Sequence, residues 1–177
     1  MKVIETKIKD CKILQPEVFN DERGYFLETF NKTKICEIIG NYDFVQDNHS
    51  HSKMGTLRGL HFQTINPQGK LVSVLNGEVF DVAVDLRKES PSYGEWVRVI
   101  LSDYKKQFFW IPPGFAHGFQ VISKSADFLY KCTEYYDAYD QQGIKWNDKT
   151  LNIKWPVNDP IISKKDKNNP SFKDLKL

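Results

Sequence analysis

The dipeptide Asn76-Gly77, flanked by two runs rich in β-branched residues, constrains the fold more than any other feature of this chain. The run 70–75 reads KLVSVL and the run 78–84 reads EVFDVAV. Asn-Gly between two such runs is the strongest short-range signal for a two-residue β-hairpin, because glycine readily adopts the positive φ of the turn. Asp81 makes one face of the second run more polar than the other. A polar face on an inner strand indicates a barrel with a wet interior.

The rest of the chain is also predicted to form mostly short strands, separated by turns such as Pro112-Pro113-Gly114. One short helix is predicted over 32–39, where isoleucines recur at helical spacing and Gly40 follows as a C-terminal cap. Many short strands with one small helix are typical of an antiparallel sandwich or jelly roll. The further strands are expected near residues 11–19, 24–30, 43–49, 95–102, 107–111, 117–122 and 127–136.

Length, charge and cysteine content narrow the class of protein. A chain of 177 residues is long enough for one domain with a substantial core. Lys and Arg number 25 against 23 Asp and Glu, and this near balance disfavours a nucleic-acid or membrane partner. The three cysteines show no CxxC spacing, so neither a zinc site nor a disulfide framework is indicated. With no apolar signal segment at the start, we expect a cytoplasmic protein.

The segment 46–63, QDNHSHSKMGTLRGLHFQ, carries the side chains best suited to catalysis. It contains Arg58 and His61, and Lys70 follows shortly after it. A neutral imidazole can accept a proton near neutral pH, and a guanidinium can hold a phosphate through two hydrogen bonds. A lysine ammonium can stabilise an enolate oxygen. Together they predict proton abstraction beside the carbonyl of a phosphorylated or nucleotide-linked ketone.

Further motifs appear in order along the chain: FNDERGYFLETF at 19–30, GEVFDVAVDLRKESPSYGEW at 77–96, FFWIPPGFAHGFQVIS at 108–123 and FLYKCTEYY at 128–136. With 46–63 they resemble the dTDP-4-dehydrorhamnose 3,5-epimerase family of nucleotide-sugar enzymes, from about Val18 to Asp166. The resemblance implies an all-β, cupin-type antiparallel jelly roll with one or two short helices, and a homodimer. It also implies one epimerase domain over 1–177, with a peripheral tail at about 167–177.

The resemblance assigns four catalytic residues. His61 is the base that removes protons beside the ketone, and Asp166 fixes its tautomer and raises its basicity. Lys70 stabilises the enolate, and Tyr130 is the acid that returns a proton from the opposite face. Two faces are needed because a single group on one face would restore the original configuration. The implied reaction inverts C3 and C5 of dTDP-4-dehydro-6-deoxy-D-glucose, giving dTDP-4-dehydro-L-rhamnose without a cofactor.

Substrate contacts follow from the resemblance position by position. Tyr136 matches the aromatic residue that stacks on the thymine ring, and the arginines suit a diphosphate. Gln141 stands where the family pattern often has a glutamate, so it keeps a hydrogen-bonding oxygen but lacks the charge. The implied partner is a dTDP-linked 4-keto-6-deoxy sugar. The full set of contacts is Arg23, Phe26, Glu28, Gln46, Asn48, Arg58, Lys70, His117, Tyr136, Gln141 and Lys165.

Three alternatives stay open at this point. An epimerase acting only at C3 of a related nucleotide-linked 4-keto sugar would use the same four residues. A metal-dependent cupin would use His49, His51 and His61, because an HxH pair on a strand puts both imidazoles on one face. Such sites normally add a carboxylate a few residues later, and 52–57 contain none, so no metal is expected. A non-catalytic sugar-nucleotide module would lack the base or the acid, and both are present.

Overall fold

The computed structural model describes residues 1–176, over which the chain forms thirteen β-strands and two short α-helices. The strands are β1 (Lys2–Glu5), β2 (Lys12–Gln15), β3 (Val18–Asp21), β4 (Gly24–Leu27), β5 (Gln46–Lys53), β6 (Leu57–Gln63), β7 (Lys70–Asn76), β8 (Glu78–Asp85), β9 (Trp96–Ser102), β10 (Phe108–Ile111), β11 (Phe115–Val121), β12 (Ser125–Cys132) and β13 (Gln141–Gly143). The helices are α1 (Lys32–Ile39) and α2 (Lys164–Lys167). Leu177, the end of the predicted tail, lies outside the described residues.

The strands form two large antiparallel sheets that face each other, as predicted for a jelly roll. One has six strands in the order β1-β2-β10-β7-β12-β5, and the other has five in the order β13-β6-β11-β8-β9. Between them lies an apolar layer to which Phe109 and Phe128 contribute from one side and Ala83 and Phe119 from the other. The rings of Phe119 and Phe128 stack with centroids 4.1 Å apart. This layer excludes water and joins the sheets.

The predicted hairpin at Asn76-Gly77 is wrong, because β7 and β8 belong to different sheets. Gly77 turns a corner between the sheets with φ of +83°. Its N–H donates to Asp103 Oδ2 at 2.9 Å, and its carbonyl accepts from Asp103 N at 3.1 Å. A local hairpin would leave one face of each run exposed. Residues 70–74 and 79–85 are instead buried on both faces, so each run pairs with distant strands in the interior of its own sheet.

The outer face of β8 is covered by the C-terminal part of the chain. Phe80 and Val82 point away from the layer between the sheets and join a second core that includes Ile144 and Leu151. Phe172, within the predicted tail, packs against this core and against the ring of Tyr93 at 5.5 Å. The segment after β13 therefore completes the fold and also carries α2 to the end of the sandwich.

Several predicted boundaries shift at points where other contacts compete with the strand. The predicted strand 127–136 ends at Cys132, and the residues after it form a loop. Thr133 N donates to Gly69 O at 3.0 Å, while Gly69 N donates to the Thr133 hydroxyl at 2.7 Å.

The helix α1 covers the predicted range 32–39 and is capped by Asn31, whose side chain accepts from Lys34 N. No helix within residues 1–176 has the length and apolarity needed to span a bilayer.

Replacing Gly77 by alanine should destabilise the fold more than the same change at Gly55. The two glycines have similar φ, +83° and +76°. A Cβ at Gly77 would lie 2.0 Å from the Ser125 carbonyl oxygen, whereas at Gly55 it would meet only Val157 Cγ1 at 3.5 Å. We expect Gly77→Ala to cost roughly 1–3 kcal/mol more than Gly55→Ala in the free energy of unfolding, measured with guanidinium. Equal losses would mean that the corner relaxes freely.

Candidate active site

A cavity of about 590 Å³ opens between the two sheets, at the end where the apolar layer gives way to polar side chains. Side chains from β6, β7, β11 and β12 line it together with the segment around α2. The cavity brings together most of the residues that the sequence predicted to bind substrate or take part in catalysis. They are the four catalytic candidates His61, Lys70, Tyr130 and Asp166, and the binding candidates Arg58, His117, Tyr136, Gln141 and Lys165.

Among the catalytic candidates, His61 and its carboxylate partner Asp166 make the shortest contact. His61 Nε2 lies 2.6 Å from Asp166 Oδ1, and Gly59 N donates to the other oxygen at 3.4 Å. The Asp166 side chain is only 5% exposed, against 29% for His61. Burial opposes ionisation of Asp166 most strongly of any single cause, but the interactions with His61, the Gly59 N–H and Ser163 together outweigh it, and the pKa of Asp166 falls below its ordinary value. A carboxylate on Nε2 holds the proton there and leaves Nδ1 as the basic nitrogen.

Helix α2 sets the position of this carboxylate. Ser163 caps the helix, and its hydroxyl accepts a hydrogen bond from Asp166 N at 3.0 Å. Asp166 is the one buried residue of the helix. The flanking lysines remain in solvent. A basic segment that is remote in sequence thus supplies the carboxylate that contacts His61.

The acid candidate and the cation stand on the opposite wall from the base. Tyr130 lies on β12 and Lys70 on β7, both in the six-stranded sheet, whereas His61 lies on β6 in the five-stranded sheet. Burial raises the pKa of Tyr130, so its phenol keeps its proton at neutral pH. Burial lowers the pKa of Lys70, whose amino group makes no hydrogen bond or salt bridge to any other of residues 1–176. A group bound between the walls would thus meet a base on one face and a proton donor on the other.

His117 is held by a buried carboxylate that sequence reasoning left without a role. Its Nε2 lies 3.0 Å from both oxygens of Asp81, which is fully buried on β8. The ring also stacks on Phe128 with centroids 6.0 Å apart. Burial lowers the pKa of His117 despite the neighbouring carboxylate, so the ring is neutral. The polar position of Asp81 was visible in the sequence, but only the pairing of β8 with β11 places His117 beside it.

Two further cations lie at the mouth of the cavity. Arg58 donates through Nε to the Ser52 hydroxyl at 3.1 Å, which leaves its two terminal nitrogens available. Within residues 1–176 neither Arg58 nor Lys165 forms a salt bridge, and both are exposed. With Lys70 deeper inside, the lining suits a ligand that carries a diphosphate.

Three predicted binding residues lie away from this cavity, on or beside the hairpin of β3 and β4. Arg23 pairs with Asp21 at 2.6 Å, and Glu28 pairs with Lys34 at 2.9 Å. The ring of Phe26 is 70% exposed. The two strands pair only with each other, which makes this hairpin a projection from the sandwich.

Gln46 and Asn48 also do not line the cavity. The Gln46 side chain donates to Asn48 Oδ1 at 2.9 Å and accepts a hydrogen bond from Tyr136 N at 2.8 Å. Asn48 in turn donates to Cys132 Sγ at 3.7 Å. Both side chains brace the wall of the cavity in this structure.

The alternative metal site fails because its three histidines do not meet. Alternation along β5 places His49 and His51 on the outer face of the sheet, 54% and 61% exposed. Both contact Asp127 Oδ1 from the neighbouring strand, at 3.1 and 3.0 Å. His61 lines the cavity on the inner side. The part of the chain that the structure describes holds no group of three or more His, Cys, Asp or Glu side chains arranged to bind a metal.

Sequence reasoning missed five polar residues of the lining, of which Ser50 and Gln63 bear most on the site; the others are Thr56, Gln68 and Ser163. The Ser50 hydroxyl is buried and has no hydrogen-bond partner among the described residues. Gln63 follows His61 by two positions on β6 and so points to the same side, a signal that the sequence carried. The hydrogen-bond partners of the Gln63 side chain are backbone groups of loops, and no sequence pattern predicts them.

Comparison with known proteins agrees with the geometry. The model of the dTDP-4-dehydrorhamnose 3,5-epimerase family matches residues 5–174. The chain belongs to this family. The dTDP-4-dehydrorhamnose 3,5-epimerase of Shigella flexneri is 53% identical over 177 residues, covering 98% of this chain and 97% of that protein. The enzyme of the same name from Methanothermobacter thermautotrophicus is 53% identical over 170 residues, covering 94% and 92%.

Solved structures of the epimerase family share the architecture. RmlC of Legionella pneumophila, in complex with dTDP-4-keto-L-rhamnose, superposes with a TM-score of 0.96 at 49% identity, covering 99% of this chain and 94% of that one. ChmJ of Streptomyces bikiniensis, a 3'-monoepimerase in complex with dTDP-quinovose, gives 0.89 at 27% identity, covering 94% and 86%. The cupin-type fold is therefore common to family members that differ in the number of carbons inverted.

His117 should stay neutral at a pH where an ordinary histidine, with a pKa of 6.5, is half protonated. Because its folded pKa is depressed, the unfolded chain binds more protons in this range, and the histidine's stabilising contribution is lost as pH falls below about 6.5. Ring-proton NMR across pH 5–8 should show no His117 titration near 6.5. His117→Gln should remove that part of the pH dependence of unfolding. Titration of His117 at or above 6.5 would contradict the assignment.

Proposed function

We propose that this protein is an isomerase that inverts C3 and C5 of dTDP-4-dehydro-6-deoxy-D-glucose to give dTDP-4-dehydro-L-rhamnose, using only its own side chains. The observation that carries the proposal is the placement of His61 with Asp166 on one wall of the cavity and Tyr130 on the other. The family of the chain and the ligand in the Legionella structure support the same substrate class.

In the proposed mechanism, the C4 ketone acidifies the C–H bonds at C3 and C5. Nδ1 of His61 takes one of these protons, and the electron pair of the broken bond moves to the ketone oxygen to form an enolate. The Tyr130 phenol then returns a proton to the carbon from the opposite face, which inverts it. His61 then releases its proton to solvent, and the Tyr130 phenolate takes up a proton from solvent. The site is then ready to act on the second carbon.

Two neighbouring residues support these transfers. Asp166 balances the positive charge that develops on His61 when it accepts a proton. Lys70 has no competing partner among the described residues, so its amino group is available to the enolate oxygen. A preorganised donor to such an oxygen is worth about 3–4 kcal/mol of barrier.

The nucleotide end of the substrate is assigned to the cationic mouth of the cavity. Arg58 and Lys165 would hold the diphosphate, with His117 beneath them. The half-exposed ring of Tyr136 would stack on the base. Gln141, neutral where relatives of this type often carry a glutamate, would offer a hydrogen bond without charge.

We also propose a homodimer in which the hairpin of β3 and β4 reaches a second copy. Phe19, Tyr25 and Phe26 on this hairpin are 54%, 57% and 70% exposed, an apolar surface that suits a protein partner. The proposed substrate contacts Arg23, Phe26 and Glu28 then belong to the cavity of the second copy. We place the enzyme, as one domain, in the cytoplasm, in keeping with its three unpaired cysteines.

The reaction can be tested by NMR of dTDP-4-dehydro-6-deoxy-D-glucose incubated with the protein in deuterium oxide. We expect deuterium at C3 and C5 and inversion of both carbons. Inversion at C3 alone would assign the chain to the monoepimerases, and no exchange at either carbon would refute the proposal.

In the same assay, Tyr130→Phe removes the acid and leaves the base in place. Solvent deuterium should still enter the sugar, because His61 can exchange the proton that it has abstracted. Net inversion, at C5 especially, should fall steeply. Inversion of both carbons at nearly the wild-type rate would assign the acid role to another group.

Asp166→Asn should lower kcat by about 10²-fold or more, because an amide at this position neither balances the imidazolium nor holds the correct tautomer. Asp127→Asn is a matched control, since it alters the carboxylate that contacts His49 and His51 on the outer face. We expect steady-state kinetics of this control to match the wild type. Comparable losses in the two variants would disprove a specific role for the His61–Asp166 pair.

A further inference from the structure

Gln63 lines the cavity, yet its side chain is bound to the loop that carries Tyr136. Its Nε2 donates to Tyr135 O at 3.2 Å and to Asn66 O at 2.8 Å. Its Oε1 accepts a hydrogen bond from Asp137 N at 3.0 Å. A glutamine amide has two N–H groups and one oxygen. Both donors are therefore committed to backbone carbonyls, which leaves none for a ligand.

A second glutamine holds the same loop from the other sheet. Gln46, on β5 of the six-stranded sheet, accepts a hydrogen bond from Tyr136 N at 2.8 Å. Gln63 lies on β6 of the five-stranded sheet and binds the residues before and after Tyr136. Three consecutive residues of the loop are thus fixed by two side chains that come from strands of different sheets.

The side chain of Tyr136 depends on these backbone contacts for its position. It is 51% exposed at the rim of the cavity. Within residues 1–176 its ring stacks on no other aromatic ring, and its hydroxyl makes no hydrogen bond. A ring that has neither an aromatic nor a hydrogen-bonding partner among these residues takes its place mainly from its backbone, so loss of the Gln63 contacts would loosen it.

We propose that Gln63 is a positioning residue that sets the affinity for the nucleoside part of the substrate by holding Tyr136 at the rim. This inference rests on the proposed function for the identity of the ligand, a nucleoside diphosphate linked to a sugar. Gln63 also shares a strand with His61, so it ties the nucleoside subsite to the catalytic base through one rigid element. The residue acts through Tyr136 and touches no reacting atom.

The test compares Gln63→Met, which keeps the length of the side chain and removes its hydrogen bonds, with the wild type. We expect the Kd for dTDP, measured by calorimetry, to rise roughly tenfold, since stacking of a base on an aromatic side chain supplies affinity of this order. The Kd for inorganic pyrophosphate should stay unchanged, and kcat should stay within about threefold. Gln63→Ala, which removes the same hydrogen bonds without adding a charge, should show the same pattern if Gln63→Met folds poorly.

A double-mutant cycle separates positioning from a general structural role. Once Tyr136→Ala has removed the ring, adding Gln63→Met should weaken dTDP binding no further. Gln142→Met is the control, because the Gln142 side chain donates one hydrogen bond, to the Thr64 hydroxyl in the adjoining loop, and does not line the cavity. The Kd of this variant for dTDP should match the wild type.

Additive losses in the cycle, equal weakening of dTDP and pyrophosphate, or failure of the wild type to bind dTDP would each overturn the inference. Binding is measured without turnover. A wild-type protein that binds dTDP but leaves the sugar unchanged would refute the proposed reaction and still allow this test of Gln63.

Discussion

The apolar layer between the two sheets is the constraint on which the rest of the structure depends. Strands β7 and β8 are buried on both faces over residues 70–74 and 79–85, so each must lie inside a sheet with strands on either side. Stacked aromatic rings such as Phe119 and Phe128 then hold the sheets at a fixed separation. The cavity is the end of this layer, where its apolar side chains are replaced by polar ones. Its two walls face each other because the sheets do.

The buried charged side chains of the cavity fall into two kinds: those with a partner in the chain, and one whose partner would have to come from a ligand. Burial of a charge is costly unless a partner compensates it. Asp81 has His117, and Asp166 has His61 with the N–H of Gly59. Lys70 has no such partner within residues 1–176 and is nevertheless buried. A protein that tolerates this arrangement gains most from it when an oxyanion occupies the cavity.

The rim follows a different rule from the walls. The catalytic candidates stand on strands or, for Asp166, on the capped helix α2, whereas Tyr136 stands on a loop. Glutamine side chains from both sheets restrain this loop, so the position of Tyr136 is fixed by the sheets although it does not lie on a strand. The hairpin of β3 and β4 pairs with no strand of either large sheet among the described residues, in keeping with a role at a second copy.

The sequence alone determined the fold class, the helix at 32–39 and the identities of the cavity residues His61, Lys70, Tyr130 and Asp166. Alternation and turn residues report local conformation, and several motifs in one order are specific to a family. Tertiary structure decided what depends on pairing between distant strands. It turned the Asn76-Gly77 hairpin into a corner between sheets, set Asp81 beside His117, and placed Arg23 outside the cavity. Local sequence carries no record of these partners, because burial on both faces of a strand and the position of a remote carboxylate arise only when the whole chain packs.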